Sequence, residues 1–211
     1  MNLIAERINK TIKNNTILND VSLNLESNRV YGFVGRNGSG KTMLFRALSG
    51  LMCVDSGIIR LDGKILHKDF SVLPNLGITL ESACLYGEYT GLKNLKMLAK
   101  INKKAGLDDV KQALKDVGLD YCDKRPVRKY SMGMKQRLSI AQAIMEKPDI
   151  LMLDEPTNGL DEKGVREIYN VILREKDRGA IILLTSHNRE DINVLTDIVY
   201  SVNDGCVKEL C

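Results

Sequence analysis

A glycine-rich loop between a strand and a helix constrains the fold of this chain more than any other feature. Residues 29–34 are β-branched and aromatic, which is typical of a short buried strand. Residues 43–48 have helical apolar spacing, and Gly50 ends that helix. The loop between them satisfies G-x-x-x-x-G-K-[ST] at every fixed position. Its eight residues are predicted to bind nucleotide phosphates; they are Gly35, Arg36, Asn37, Gly38, Ser39, Gly40, Lys41 and Thr42.

The residue types of this loop suit an anionic ligand. Glycines let the backbone turn its N–H groups inward, and the N-terminus of the following helix adds positive potential. We expect Lys41 to reach the β- and γ-phosphates and the Thr42 hydroxyl to be a Mg²⁺ ligand. The alternative is a glycine-rich turn with an exposed lysine, which the strand before the loop and the helix after it disfavour.

Two adjacent carboxylates follow a second buried strand. Residues 150–153 are continuously apolar, and Asp154 and Glu155 come directly after them. Ligands bind at the carboxyl ends of parallel strands, so both side chains are expected beside the nucleotide. Asp154 would hold Mg²⁺ through water, and Glu155 would orient or deprotonate the attacking water. Taken alone, Asp-Glu-Pro is equally typical of a strand-ending turn, but the phosphate-binding loop favours the catalytic interpretation.

Apolar strands that alternate with helices indicate a parallel sheet covered on both faces. A further strand is predicted at residues 180–184, a helix at 162–178, and a closing hairpin with an Asp-Gly turn at 198–210. Residues 3–34 are typical of a small antiparallel sheet with turns at residues 14–15 and 27–28. The predicted fold class is therefore α/β: a P-loop NTPase core with a mainly parallel sheet, an N-terminal antiparallel β subdomain and an inserted helical subdomain.

The middle of the chain has almost only helical patterning. Apolar residues recur at helical spacing in residues 92–99, 110–117 and 138–145, with Gly106 and Gly118 between these stretches. We therefore expect a single domain over residues 1–211. Within it, a helical lobe at about residues 86–147 is inserted into a core and β lobe at about 1–85 and 148–211.

The composition is that of a globular chain. Of 211 residues, 44% are hydrophobic and 27% are charged, which argues against a disordered protein. The 31 Lys and Arg exceed the 27 Asp and Glu by four, a small and dispersed excess that does not predict a nucleic-acid partner. No apolar stretch approaches the ~20 residues of a membrane span, and the N-terminus has no signal-peptide pattern. The five cysteines form no C-x-x-C pair and are expected to be reduced thiols in the cytosol.

Five segments, in this order and spacing, resemble the ATP-binding subunit of an ABC transporter. They are the phosphate-binding loop at 35–42, Tyr-Ser-Met-Gly-Met-Lys-Gln-Arg at 130–137, Ile-Leu-Met-Leu-Asp-Glu-Pro-Thr at 150–157, Asn-Gly-Leu-Asp at 158–161 and Thr-Ser-His at 185–187. The resemblance extends over nearly the whole chain. It implies an ATPase that uses ATP and Mg²⁺ and that dimerises on ATP to drive a separate transmembrane subunit.

The resemblance also implies roles for individual residues. The signature segment, which would bind ATP held by a second subunit, is Ser131, Met132, Gly133 and Met134. A serine cap and a glycine N–H at a helix N-terminus are suited to phosphate. His187 would lie against the γ-phosphate, and Asp161 would connect the two sites of the dimer. From the residues alone, Ser131 is also an ordinary helix cap and Asp161 a favourable charge before a helix.

Three positions depart from the family pattern. Glu81 stands where a glutamine usually links Mg²⁺ and water to the membrane subunit, so Mg²⁺ dependence should be altered. Ile12 stands near the place of an aromatic residue that stacks on adenine, and losing that ring should cost about 0.5–1.5 kcal/mol. Met132 and Met134 replace the usual Gly and Gln. We expect modest nucleotide affinity and continued, slower hydrolysis.

The predicted function is that of a homodimeric ATPase subunit on the inner face of the cell membrane. It would bind its permease through residues 81–95 and act in export, because its motif variants are most similar to those of exporters of antimicrobial peptides or related compounds. Two alternatives stay open. One is a soluble ABC ATPase that acts on nucleic acid or the ribosome, although the chain has neither a second cassette nor a long coiled coil. The other is a non-hydrolysing nucleotide sensor, which only the three departures suggest.

Overall fold

The computed structural model describes residues 1–80 and 85–210. Its strands are β1 Asn2–Ile12, β2 Asn15–Glu26, β3 Arg29–Val34, β4 Ser56–Leu61, β5 Lys64–Ile65, β6 Leu76–Thr79, β7 Ile150–Asp154, β8 Ile181–Thr185, β9 Ile198–Asn203 and β10 Cys206–Leu210. Its helices are α1 Lys41–Ser49, α2 Gly91–Asn102, α3 Leu107–Asp116, α4 Met132–Ile144, α5 Glu162–Asp177 and α6 Arg189–Leu195. None of these helices is long and apolar enough to cross a bilayer.

The strands form two sheets. One is antiparallel with the order β2-β1-β4-β5, and the other has the order β10-β9-β3-β8-β7-β6. In the second sheet β9, β3, β8, β7 and β6 are parallel, and only the edge strand β10 is antiparallel to its neighbour among the described residues. This is the predicted α/β class, and the C-terminal hairpin turns at Asp204 and Gly205 as expected.

Both faces of the larger sheet are buried. Along β7, Leu151 and Leu153 belong to one apolar core, whereas Ile150 and Met152 belong to the other. The first core includes apolar residues of α2 to α5, and the second includes α1 and the antiparallel sheet. The continuous apolar runs of the sequence therefore reflect burial on two sides, as predicted.

Among the described residues, three α-helices and the short 3₁₀ helix Val127–Lys129 separate β6 from β7, where the sequence has helical patterning. Thr90 caps α2 by accepting a bond from the Lys93 N–H, and Ser131 caps α4 in the same way. Gly106 is the N-cap of α3, and Gly118 follows that helix with φ 71°. These caps explain why the helices begin and end where they do, and they place the N-terminus of α4 at the surface.

Two expectations for the first 34 residues are wrong in part. Strand β3 does not join the antiparallel sheet but pairs in parallel with β8 and β9. The reason is burial on both faces, since Val30 belongs to one core and Phe33 to the other. The first turn lies one residue earlier than predicted, at Lys13 and Asn14, because both have a positive φ and Asn15 already begins β2.

Candidate nucleotide-binding site

The loop after β3 is shaped by two glycines. Gly38 and Gly40 have φ of 79° and 108°, a region that residues with a side chain rarely adopt. Gly40 is also the N-cap of α1, and no side chain bonds the first turn of that helix. The N–H groups of this turn and the positive end of the helix dipole therefore point into the loop, where an anionic phosphate is stabilised.

Lys41 begins α1 with its ammonium inside the loop. Its Nζ donates to the carbonyls of Gly35 at 2.7 Å and Arg36 at 3.1 Å. Burial lowers the pKa of Lys41, and the nearby carboxylates of Glu155 and Asp154 act in the opposite direction. The result is a partly desolvated cation held between the loop and the carboxylates.

Thr42 and Asp154, two of the three predicted Mg²⁺ ligands, are in contact. Thr42 Oγ1 donates to Asp154 Oδ2 at 2.9 Å, and Thr185 Oγ1 donates to Asp154 Oδ1 at 2.6 Å. A hydroxyl and a carboxylate are hard oxygen donors, which suit Mg²⁺ when substrate phosphates and waters complete its shell. Because no group of three His, Cys, Asp or Glu side chains over residues 1–80 and 85–210 could hold a metal alone, those additional oxygens are needed. Glu81, the third predicted ligand, lies outside the described residues.

Glu155 is held in an uncommon backbone conformation. Its φ is 49°, in the left-handed region that non-glycine residues adopt mainly at turns and functional sites. Its N–H donates to Thr185 Oγ1 at 3.0 Å, and its carbonyl accepts from Gln136 Nε2 at 3.0 Å. Gln136 lies in α4, so the helix that begins with the signature segment also supports this carboxylate. The sequence analysis did not identify Thr185 or Gln136, because neither is close to Glu155 along the chain.

His187 lies beside Glu155, as expected for two residues that follow neighbouring strands. The His187 N–H donates to Glu155 Oε2 at 3.2 Å, and His187 Nε2 lies 3.2 Å from Glu155 Oε1. The second contact does not have hydrogen-bond geometry, so Oε1 is buried without a donor from the described residues. The Glu155 side chain as a whole is 27% exposed, so its carboxylate can contact a water molecule and accept a proton from it.

A cavity of about 290 Å³ lies between the phosphate-binding loop and the carboxylates. It is lined by ten described residues: Ile17, Asn37, Gly38, Gly40, Lys41, Thr42, Met43, Asp154, Glu155 and His187. Ile12, predicted beside the adenine, is not in this lining; it ends β1 and is 36% exposed. Ile17, which the sequence analysis did not identify, forms the wall instead, because its carbonyl packs against Gly40.

A second buried carboxylate supports the loops around this cavity. Asp191 in α6 is fully buried and accepts bonds from Thr157 Oγ1 at 2.5 Å, Ser186 Oγ at 2.6 Å and Tyr169 Oη at 2.6 Å. Burial raises the pKa of the Tyr169 hydroxyl, and its bond to Asp191 raises it further. No sequence signal marks Asp191, because its three partners come from three separate segments.

The signature segment packs closely against the loop that leads into α5. Ser131 Oγ accepts from the Met134 N–H at 3.2 Å. A Cβ at Gly133 would lie 2.7 Å from the Gly159 carbonyl, so only glycine fits at residue 133 without a shift. Met132 is 64% exposed and partly covers Gly159. The segment therefore presents a capped helix N-terminus at the surface.

Asp161 and Arg137 connect the signature helix to α5. Asp161 is the N-cap of α5; it accepts from the Gly164 N–H at 3.0 Å and from Arg137 at 3.1 Å. The Gly164 N–H and Arg137 lower the pKa of Asp161. Arg137, of which only 12% of the side chain is exposed, also bonds Glu167 and the carbonyl of Val117. One guanidinium thus ties α3, α4 and α5 together.

Ser131 and Gly133 of the signature segment lie in a different cavity from Lys41. Ser131, Gly133 and Asp161 line a cavity of about 490 Å³. None of the described residues around this cavity also lines the cavity at Lys41 and Glu155. Met132 instead lines a third cavity, which extends to Asp154 and Glu155.

A phosphate-binding loop between a strand and a helix, with carboxylates at the end of a neighbouring parallel strand, defines a P-loop NTPase. Residues 18–158 match the family described as ABC transporter. This match covers more than half of the 211 residues, and the chain belongs to the ABC transporter family as one of its ATP-binding ATPase subunits.

Curated relatives cover most of the chain. The uncharacterized ABC transporter ATP-binding protein YybJ of Bacillus subtilis (strain 168) is 49% identical over 198 residues, which are 94% of this chain and 91% of YybJ. The lantibiotic transport ATP-binding protein SrtF of Streptococcus pyogenes is 34% identical over 96% of this chain and 87% of its own length. The bacitracin transport ATP-binding protein BcrA of Bacillus licheniformis is 39% identical over 90% of this chain, but this chain spans only 62% of BcrA.

Solved structures share the fold. The dimeric, post-hydrolysis ATP-binding cassette MJ0796 bound to ADP and Pi has a TM-score of 0.86 at 21% identity, over 99% of this chain and 97% of that one. The structure of an ATP-binding subunit of an ABC transporter has a TM-score of 0.87 at 23% identity, over 99% of this chain and 88% of that one. At these identities the likeness concerns the fold alone.

Proposed function

We propose that two copies of this chain bind ATP head to tail, hydrolyse it and drive a separate transmembrane permease. One observation carries the catalytic part of the proposal: the Glu155 side chain is 27% exposed and lines the cavity that also contains Lys41 and Thr42. A general base needs such a position to reach the attacking water.

In this proposal each residue of the cavity has one task. The phosphates lie on the N–H groups of residues 35–42, and the Lys41 ammonium stabilises the charge that develops on the γ-phosphate and the leaving group. Mg²⁺, when bound by Thr42 and Asp154, neutralises phosphate charge and fixes its position. The Glu155 carboxylate orients the attacking water and takes its proton, while His187 contacts the γ-phosphate.

The separation of the two cavities supports the dimer. Ser131 and Gly133 line a cavity that shares no described residue with the cavity at Lys41 of the same chain, and we take these two cavities as the two half-sites of the dimer. A second copy turned head to tail would bring its Ser131 and Gly133 to the cavity at Lys41, which is the self-complementary arrangement of a two-fold dimer. Asp161, held by Arg137 next to the signature segment, would couple the two sites.

Residues 85–95 are the proposed contact with the permease. The side chain of Asn94 is buried and holds this segment, because it accepts from the Tyr86 N–H at 2.8 Å and donates to the Tyr86 carbonyl at 3.1 Å. Tyr86 itself is exposed. Leu85 and Gly87 line a cavity of about 710 Å³ that extends to Gln136 and Glu155. A permease element bound here would be close to the catalytic carboxylate and would hold the chain at the inner face of the membrane.

The proposed cargo is an antimicrobial peptide or a related compound that leaves the cell. Support comes from the names of two relatives, one for bacitracin transport and one for lantibiotic transport. Cells that express this chain with its permease should tolerate a higher concentration of such a peptide than cells that express a Lys41→Ala variant. Equal susceptibility across a panel of these peptides would contradict the cargo but not the ATPase activity.

The decisive experiment is phosphate release by wild type and Glu155→Gln in saturating Mg-ATP. We expect a loss of about 10²- to 10⁴-fold, because a general base contributes about that much. Light scattering should show that Glu155→Gln accumulates as an ATP-bound dimer. Glu162→Gln is the matched control, because the Glu162 carboxylate is 92% exposed and contacts only Arg166 at 3.5 Å. Wild-type release no faster than that of Glu155→Gln would instead indicate a nucleotide sensor.

A further inference from the structure

The positive charge of this chain is concentrated on one helix rather than dispersed. Residues 91–106 contain five lysines and no acidic residue, whereas the whole chain has a net charge of +4. The remainder of the chain therefore carries a net charge of −1. Three of these lysines lie within α2, and the other two follow its last residue.

The outer face of α2 combines lysines with exposed apolar side chains. At about 100° per residue, its five exposed large side chains within residues 91–101 occupy an arc of roughly 140°. They are Lys93, Lys96, Met97, Lys100 and Ile101. Ile101 is 73% exposed and Met97 is 38% exposed. The opposite face, with Leu95 and Ala99, is buried in the core.

The charge of this face is not neutralised by the rest of the described chain. The side chains of Lys96, Lys100 and Lys103 make no hydrogen bond or ion pair with any described residue. The nearest acidic groups along the chain have other partners: Glu88 pairs with Arg128 at 3.0 Å, and Asp108 lies 4.0 Å from Lys111. The face is therefore a free cationic surface.

A bilayer surface fits this face better than a nucleic acid. Anionic headgroups attract lysines, and exposed Ile and Met side chains enter the acyl boundary beneath the headgroups. Lysine stems allow the ammonium to stay in water while the stem packs on apolar surface. A nucleic-acid surface would leave Ile101 and Met97 without an apolar partner. Helix α2 itself has no aromatic residue on which a base could stack, and the Lys93 ammonium lies over the neighbouring Tyr89 ring, 3.7 Å from its centroid.

The position of α2 agrees with contact to a membrane. Its Asn94 side chain bonds the backbone of Tyr86, so the helix is anchored directly to the proposed permease contact. A permease bound at residues 85–90 would hold α2, which is only 12 residues long, close to the inner leaflet. This step rests on the proposed function.

We propose that the outer face of α2, together with Lys103 directly after its last residue, binds the anionic phospholipid headgroups of the inner leaflet, through Lys96, Lys100 and Lys103 with Ile101 inserted between headgroups. The contact would orient each ATPase subunit beside its permease. It adds a lipid partner to the proposed protein partners.

The test is co-sedimentation of the full chain with vesicles that contain no protein. We expect binding to vesicles of equimolar phosphatidylglycerol and phosphatidylcholine, and none to pure phosphatidylcholine. Each lysine near an anionic surface strengthens binding on the order of fivefold. The affinity of the triple variant K96Q/K100Q/K103Q for these vesicles should therefore be lower on the order of 100-fold. Glutamine preserves helix propensity, so the fold should be retained. Ile101→Ser should weaken binding by a smaller factor.

The matched control is K13Q/K64Q/K68Q, which removes the same charge from three exposed lysines outside α2. Its affinity for these vesicles should stay within about twofold of the wild-type affinity, because its lower net charge has only a small effect. Three outcomes would each overturn the proposal. They are an equal loss of vesicle binding in the two triple variants, no vesicle binding by wild type, and tighter binding of wild type to a single-stranded RNA oligomer than to vesicles. ATPase activity without vesicles is measured in parallel and should be equal in wild type and the two triple variants. A failure of vesicle binding with normal ATPase activity would therefore leave the catalytic proposal intact.

Discussion

Asp191 shows how a single residue connects the two loops that carry the catalytic side chains. Thr157 lies two residues after Glu155, and Ser186 lies directly before His187. Both hydroxyls donate to Asp191 Oδ2, whereas Tyr169 from α5 donates to Oδ1. A buried carboxylate with three hydroxyl donors fixes the distance between these loops. We infer that Asp191 is a positioning residue for Glu155 and His187.

Asp191→Asn should therefore lower kcat for ATP hydrolysis about tenfold, with little change in KM for ATP, because the phosphate-binding loop is untouched. The amide group keeps one acceptor oxygen but turns an N–H₂ towards a hydroxyl donor. Its free energy of unfolding should fall by about 1–3 kcal/mol. Steady-state phosphate release and urea unfolding measure the two effects.

Tyr169→Phe is the control for this effect. It removes the hydrogen bond that α5, which belongs to neither loop, makes to the same carboxylate. The free energy of unfolding should fall by about 1 kcal/mol, and kcat should be unchanged. If the two variants lose kcat in proportion to their lost stability, the role of Asp191 is structural support alone.

At the level of elements, α4 carries more connections than its sequence pattern predicts. Its first turn is the signature segment, Gln136 bonds the Glu155 carbonyl, and Arg137 bonds Asp161 and Glu167. The consequence is that a displacement of this helix would act on both half-sites of the chain at once. Only the N-terminal cap of α4 has a local sequence signal.

Elements with local signals were predicted well, and those that depend on distant partners were not. The strand–loop–helix unit around residues 29–49, β7 and β8 follow from apolar runs and glycine positions. Strands β4 and β5 were missed, because β4 forms pairs at a distance of about 50 residues and β5 has two residues. The same applies to the site: the loop and Asp154 follow from their motifs, whereas Ile17, Gln136 and Asp191 meet the site only after folding.

The N-terminus of α3 gives a pH-dependent prediction. Asp109 accepts from the Gly106 N–H at 3.0 Å and from Lys147 at 2.9 Å, and these two bonds lower its pKa. The pKa of Asp109 in the folded chain is below its value near 4 in the unfolded chain. The two bonds therefore stabilise the fold at pH values above about 4, and this stabilisation is lost as the pH falls through the pKa of the folded chain. Asp109→Asn should be less stable than wild type at pH 7, by roughly a few tenths of a kcal/mol after solvent screening.

This difference should shrink as the pH falls below about 4, because the wild-type carboxyl is then protonated. Urea unfolding midpoints at pH 7 and below pH 4 measure it. Asp108→Asn is the matched control, because the neighbouring Asp108 is fully exposed and touches only Lys111 at 4.0 Å. A difference between Asp109→Asn and wild type that is constant with pH would contradict the assignment.

At the scale of the whole molecule, one chain carries the two different cavities that we propose as half-sites. The cavity at Lys41 and Glu155 has the phosphate-binding loop, and the cavity at Ser131 and Asp161 has the signature helix. A head-to-tail dimer of identical chains would form two equal sites, each with a loop from one chain and a signature segment from the other. This arrangement makes a prediction that no single-chain mechanism shares.

Lys41→Ala and Ser131→Ala should each abolish hydrolysis alone, but their mixture should recover part of it. In a mixed dimer, one site combines both defects and the other combines an intact loop with an intact signature segment. Equal mixing makes half of the dimers mixed, each with one intact site, so release should reach up to roughly a quarter of wild type. A mixture of Lys41→Ala with Lys41→Ala/Ser131→Ala is the control and should stay inactive. If the signature segment served its own chain's loop, no mixture would recover activity, because each chain would carry its defect with it.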